Sequence, residues 1–242
     1  MMPLKDQVAV VTGASSGIGK AIALSLAGQG VALCLIGRDM QGLQQVAGAA
    51  KGKSPQCRCY QADLEVDGEI EEAIASIKRD HQSVHILIHS AGAIWMDPLA
   101  AASAAQLDRH YKINVRAPYV LTQGLLPELK SQHGQIVFVN SSSGLAARAN
   151  IGQYAASKHA LKAIADSLRD EVNPAGLRVL SLFLGRTASR MQATIYAAEK
   201  RQYNPDLLMQ PEDVATMTIH ALTLPRSVEV TEIHMRPLIK SY

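Results

Sequence analysis

Tyr154 and Lys158 stand four residues apart in YAASK, at the head of a stretch with helical periodicity. On a helix they share one face, so the two side chains can converge on one ligand. A free phenol has a pKa of about 10, too high to trade protons near neutrality. A neighbouring ammonium favours the phenolate and tunes the group toward the working pH. With nothing bound, the same pair is an ordinary amphipathic helix face. Ser141, Ser142 and Ser143 end an apolar run, QIVFVNSSSG. A strand-end serine forms a turn, or it polarises a substrate oxygen if aimed at one.

A third group lies near the start, in VAVVTGASSGIGKAIALSL. Gly13, Gly17 and Gly19 permit a tight turn and close backbone approach, and the helix that follows offers its free N–H groups to a phosphate. The spacing is G-x-x-x-G-x-G, which is neither G-x-G-x-x-G nor a P-loop. Gly13 to Gly17 also matches G-x-S-x-G, a nucleophile elbow that would make Ser15 the nucleophile of a hydrolase. That elbow requires an oxyanion loop on an earlier strand, and here the motif follows the first strand. His220 and His234 come late in the chain, one in an apolar helix and one in a strand.

These residues need elements to hold them. Short β-branched runs occur at 7–12, 31–37, 84–90, 135–141, 178–184 and 228–235, with a weaker one at 56–63. Helical stretches alternate with them, including one long helix over about 104–130 and another over 153–173. The nearly continuous apolar character of VAVV and VALCLI fits strands covered on both faces. The expectation is one α/β domain over 1–242, a doubly wound parallel sheet of about seven strands with helices on both faces. Ligands of such sheets collect beyond the carboxyl ends of the strands, where all three groups fall.

Composition narrows the function classes. The 242 residues are 48% hydrophobic and 19% charged, with a net charge of +3, which suits one sizeable core. The basic residues are dispersed, unlike a nucleic-acid-binding stripe. No apolar run reaches roughly 18 residues, so no membrane span is expected, and the first residues do not read as a signal peptide. Cys34, Cys57 and Cys59 lack metal-ligand spacing. No metal site is expected, and the cysteines read as thiols in a reducing cytoplasm.

Taken together, TGASSGIG (12–19), Asn114 in NVRAPY, the serine run and Tyr154-Ala-Ala-Ser-Lys158 resemble the short-chain dehydrogenase/reductase family, over essentially the whole chain. The resemblance implies a Rossmann fold and hydride transfer between a nicotinamide and a carbonyl or alcohol. It makes Tyr154 the acid/base and gives Lys158 the nicotinamide ribose as well. Ser141 lies three residues before Gly144 and thirteen before Tyr154, the family's serine position. Asn114 would order a water in a proton relay from Lys158.

Cofactor contacts implied in the same way are Gly13, Ser15, Ser16, Gly17, Ile18 and Gly19 in the turn, and Asp63 and Leu64 at the adenine. Ala91, Gly92, Tyr154, Lys158, Gly185 and Thr187 would lie along the ribose and nicotinamide. Asp63 also reads as a cap for the next helix. Gly37 occupies the position of an acid that would grip a 2′-hydroxyl, and Arg38 follows, suited to a 2′-phosphate. The expected cofactor is therefore NADP(H). Two departures stand out: His89-Ser90 where the family usually has Asn-Asn, and Leu184 where it usually has Pro.

The partner expected is a small carbonyl or alcohol substrate, enclosed by a lid around 186–210, with no nucleic acid or membrane. The family implies a homotetramer, or a homodimer, built on the helices near 104–130 and 153–173 and on the last strand. A second class is a redox-sensing regulator that binds NADP(H) without turnover, though binding alone requires only Lys158 of the Ser/Tyr/Lys/Asn set.

Overall fold

The computed structural model describes residues 4–239. Seven strands form one sheet: β1 (Val8–Thr12), β2 (Ala32–Gly37), β3 (Cys57–Gln61), β4 (Ile86–His89), β5 (Gln135–Ser141), β6 (Arg178–Leu184) and β7 (Glu232–Met235). Their order is β3-β2-β1-β4-β5-β6-β7, and every pairing is parallel. The expected doubly wound, Rossmann-like sheet is present. Its direction of growth reverses between β1 and β4, which opens a crevice at the carboxyl ends of those strands.

Among the described residues eight α-helices cover the sheet: α1 (Gly17–Gly28), α2 (Met40–Ala50), α3 (Asp67–Asp80), α4 (Ala104–Tyr111), α5 (Ala117–Ser131), α6 (Gly152–Val172), α7 (Arg190–Ala198) and α8 (Pro211–Thr223). Successive strand residues face opposite layers. Ala9 and Val11 pack with Ile22, Leu26 and Val214 on one side, while Val10 packs with Ile70, Leu121 and Leu125 on the other. Each such large side chain, fully buried, contributes on the order of 2 kcal/mol. Among the described residues no helix is long and apolar enough to cross a membrane.

Three boundaries differ from the sequence reading. The long helix over 104–130 is broken by a π-helical turn at Lys112–Arg116. Pro118 has no N–H for the Asn114 carbonyl four residues back, so the regular ladder cannot continue there. Residues 228–231 do not join β7, because Val179 N–H donates to the Glu229 side chain at 2.8 Å instead of to a strand. Asp63 does not cap α3, whose N-cap is Val66; its carboxylate accepts from Glu65 N–H at 3.0 Å.

Candidate active site

The β1–α1 turn is shaped by what touches it. Gly13 has φ +65°, and a Cβ there would sit 2.9 Å from the Ala91 backbone. No other residue type fits so close an approach. Thr12 Oγ1 accepts from both Ser90 and Ala91 N–H at 3.1 Å. It thus ties the end of β1 to the segment after β4. His89 turns inward, with Nε2 2.8 Å from Thr122 Oγ1 and its ring stacked on Phe138 at 4.9 Å. Burial pushes its pKa down to about 3, so the ring is neutral.

Beside this turn lies a cleft of about 320 Å³. Gly13, Ser15, Ser16, Gly17, Ile18, Gly19, Arg38, Asp63, Leu64, Ala91 and Gly92 all line it. The start of α1 faces it with no acidic residue in the first turn and no side-chain cap from Ser16, leaving N–H groups for an anion. No histidine lines the cleft beside Ser15, so a hydrolase triad is not assembled there. Arg38 leaves the buried end of β2 and lies 3.8 Å from Asp63. Asp39 caps α2 through Gly42 N–H at 3.0 Å.

Asn114 sits in the π turn, fully buried. Its Oδ1 accepts from Ala93 N–H and its Nδ2 donates to the Ala93 carbonyl, each at 2.9 Å, and to Ser157 Oγ at 3.0 Å. These bonds account for an asparagine in mid-helix. Lys158 is buried with Nζ donating to the Val139 carbonyl at 3.1 Å. Burial lowers its pKa to about 8. A Cβ on Gly92 would meet Asn114 Oδ1 at 3.3 Å and Lys158 Nζ at 3.8 Å, so only glycine leaves the floor there open.

Burial raises the Tyr154 pKa, and hydrogen bonding with Ser141 opposes the rise. The expectation from spacing, a phenol pulled down by its lysine, is therefore corrected. The phenol is deep, and the ammonium lies 5.9 Å from its ring centre, pointed at a carbonyl. Near neutrality Tyr154 keeps its proton, the state a proton donor requires.

Ser141 and Tyr154 line a second cavity of about 140 Å³, with Ile94, Met96, Leu184, Gly185, Gln192 and Glu199 among its walls. Met191 borders both spaces. Thr187 is buried and donates to the Gly185 carbonyl at 3.2 Å. Ser189, Arg190 and Met191 also wall the larger cleft; sequence reasoning placed them in the substrate lid and not beside the glycine-rich turn. Ser189 caps α7 through Gln192 N–H, and a serine before a helical stretch was the available signal.

The cleft suits a dinucleotide and the smaller cavity a small molecule beside it. Residues 7–200 match the family model described as short chain dehydrogenase. The chain belongs to that family. Within it, an uncharacterized short-chain type dehydrogenase/reductase of Sinorhizobium fredii is 35% identical over 236 residues, 96% of this chain and 91% of that protein. A metagenomic short-chain oxidoreductase solved in complex with NADP shares 27% identity with a TM-score of 0.85, covering 98% of this chain and 100% of the other. A short chain dehydrogenase from Burkholderia cenocepacia, also in complex with NADP, shares 26% at a TM-score of 0.85, covering 96% and 97%. The chain is thus an oxidoreductase of the short-chain dehydrogenase family, whose enzymes pair a nicotinamide cofactor with a small-molecule substrate.

Proposed function

We propose that this chain is an NADP(H)-dependent carbonyl reductase with Tyr154 as its acid/base. The observation that carries the reading is the joint position of Ser141 and Tyr154 in the smaller cavity, which Met191 joins to the glycine-rich cleft. When bound, the nicotinamide supplies a hydride to the carbonyl carbon.

The residues present fit that cofactor. The Gly13–Gly19 turn and the α1 N-terminus suit a diphosphate, and the glycine floor at Gly92 leaves room beside Lys158 for a ribose. Arg38 suits a 2′-phosphate, with Asp63 and Leu64 at the adenine. Gly185, in the wall of the smaller cavity, and Thr187, bonded to its carbonyl, would hold the nicotinamide end. The NADP complexes of the metagenomic and Burkholderia cenocepacia proteins support the NADP(H) assignment.

Tyr154 Oη gives its proton to the carbonyl oxygen, and Ser141 donates a hydrogen bond to the same oxygen, stabilising the charge that develops there. Lys158 holds positive charge near the phenol, and Asn114 anchors the relay that returns a proton to it. The product is the alcohol. In the reverse direction Tyr154 takes the proton.

The chain works as one domain, with residues 186–210 as a lid. It assembles as a homotetramer or a dimer in the cytoplasm. Exposed Tyr111 and Tyr119 on the outer helices, and Leu238 and Ile239 beyond β7, support assembly, since apolar surface of this kind is costly in water.

The test is a titration with NADPH and with NADH, followed by a panel of carbonyl compounds. Tighter NADPH binding and turnover of at least one carbonyl are expected. Binding of neither nucleotide overturns the reading.

A further inference from the structure

Ala93 and Trp95 are held by side chains, not by a neighbouring strand. Asn114 bonds both backbone groups of Ala93. One turn earlier, His110 Nε2 accepts from the Trp95 N–H at 3.0 Å. The spacing matches: four helical residues advance about 6 Å, and two extended residues about 6.6 Å. Alternation then sends the intervening side chains, Ile94 and Met96, the other way, and both line the cavity that holds Ser141 and Tyr154.

The partners of His110 fix its protonation state. Its Nδ1 lies 2.8 Å from the Gln106 carbonyl, which can only accept, and Nε2 faces an N–H, which can only donate. The ring is therefore the neutral Nδ1–H form. An imidazolium carries a hydrogen on Nε2 and cannot accept from Trp95. His110 is fully buried, and burial together with Arg109 pushes its pKa below the ordinary 6.5.

We propose that His110 is a positioning residue whose neutral ring holds the Ile94–Met96 wall of the substrate cavity and whose protonation releases it. Substrate affinity then falls in mildly acid solution while cofactor affinity does not. The role of that cavity rests on the carbonyl reductase reading; the latch itself does not.

Several charged groups face this ring. On its own helix, Arg109 lies 4.4 Å over the Trp95 ring and is paired with Glu65 from the β3–α3 connection. In the held segment, Asp97 accepts from Gln106 Nε2. From α6, the Tyr154 ring lies 6.2 Å away, with Lys158 beyond it. A His110→Gln variant leaves all of these in place. Its amide can donate to Gln106 and accept from Trp95, and it gains no proton.

Trp95 is the only tryptophan in the chain, and its ring centre is 4.9 Å from that of His110. Its emission therefore reads the latch with neither cofactor nor substrate present. Imidazolium quenches indole more strongly than neutral imidazole does. Wild-type emission is expected to fall as pH drops, with a midpoint below 6.5, and to stay flat in His110→Gln. With a carbonyl substrate, wild-type KM rises roughly three- to tenfold over the same interval, the loss of about one hydrogen bond. The NADPH Kd does not follow it. His110→Gln keeps the low KM at every pH, and His110→Leu shows the high one throughout.

A flat wild-type emission profile overturns the proposal, as does a titration that persists in His110→Gln or a KM that ignores it. If no carbonyl compound turns over, the emission profiles still decide the latch, and that failure belongs to the proposed reaction.

Discussion

Lys158 lies one helical turn beyond Tyr154, its ammonium 5.9 Å from the centre of the phenol ring and buried with it. Burial has moved the lysine pKa from 10.5 to about 8. The folded value is below the unfolded one, so the folded state bears a penalty at neutral pH. That penalty is relieved as pH rises from about 8 toward 10.5. Its size near neutrality is on the order of 3 kcal/mol. Lys158→Met is expected to melt several degrees above wild type at about pH 7, with the gain shrinking by about pH 10, and to lose turnover. Melting curves at both pH values check this.

Arg38 carries the proposed choice of nucleotide. It is exposed, and Asp63 approaches it only to 3.8 Å, so the guanidinium can turn to a 2′-phosphate. Arg38→Ala is expected to weaken NADPH roughly 10- to 100-fold, the range of a hydrogen bond to a charged group. NADH affinity should stay put. Equilibrium titration with both nucleotides measures the ratio.

His89 makes the fold acid-sensitive. In the unfolded chain its ring takes a proton below 6.5, whereas in the folded chain it resists until about 3. Stability is therefore lost as pH falls through that window, by about 1.4 kcal/mol per unit at most. His89→Asn is expected to flatten the decline between about pH 6 and pH 4. Urea denaturation across that range gives the slope.

Most of the architecture was written in local pattern. Runs such as VALCLIG and QIVFVNS are too short and too β-branched for helices, and they became β2 and β5. The glycine spacing of the first turn foretold a close approach, and Gly13 meets the Ala91 backbone. What stayed hidden depends on partners distant in sequence. Pro118 breaks the ladder at the π turn of Lys112–Arg116 and is visible in the sequence, but the bonds that Asn114 makes there to Ala93 and Ser157 are not. Glu229 occupies the Val179 amide, which no period-two pattern reveals. The rise in the Tyr154 pKa comes from depth, whereas spacing displays only the lysine beside it. Ser189 to Met191 reach the cleft because the chain after β6 folds back over it.

The central claim is that Tyr154 supplies the proton, and Tyr154→Phe tests it most directly. The substitution removes one hydroxyl from a site already enclosed by Ser141 and Lys158, so the cleft itself should be unchanged. The measurement is kcat with a carbonyl substrate at saturating NADPH, alongside the NADPH Kd of the same variant. The account predicts a fall in kcat of roughly a hundred- to ten-thousandfold, the range of general acid catalysis, with Kd within about twofold of wild type. A variant that binds NADPH normally and still turns over within about threefold of wild type would contradict it.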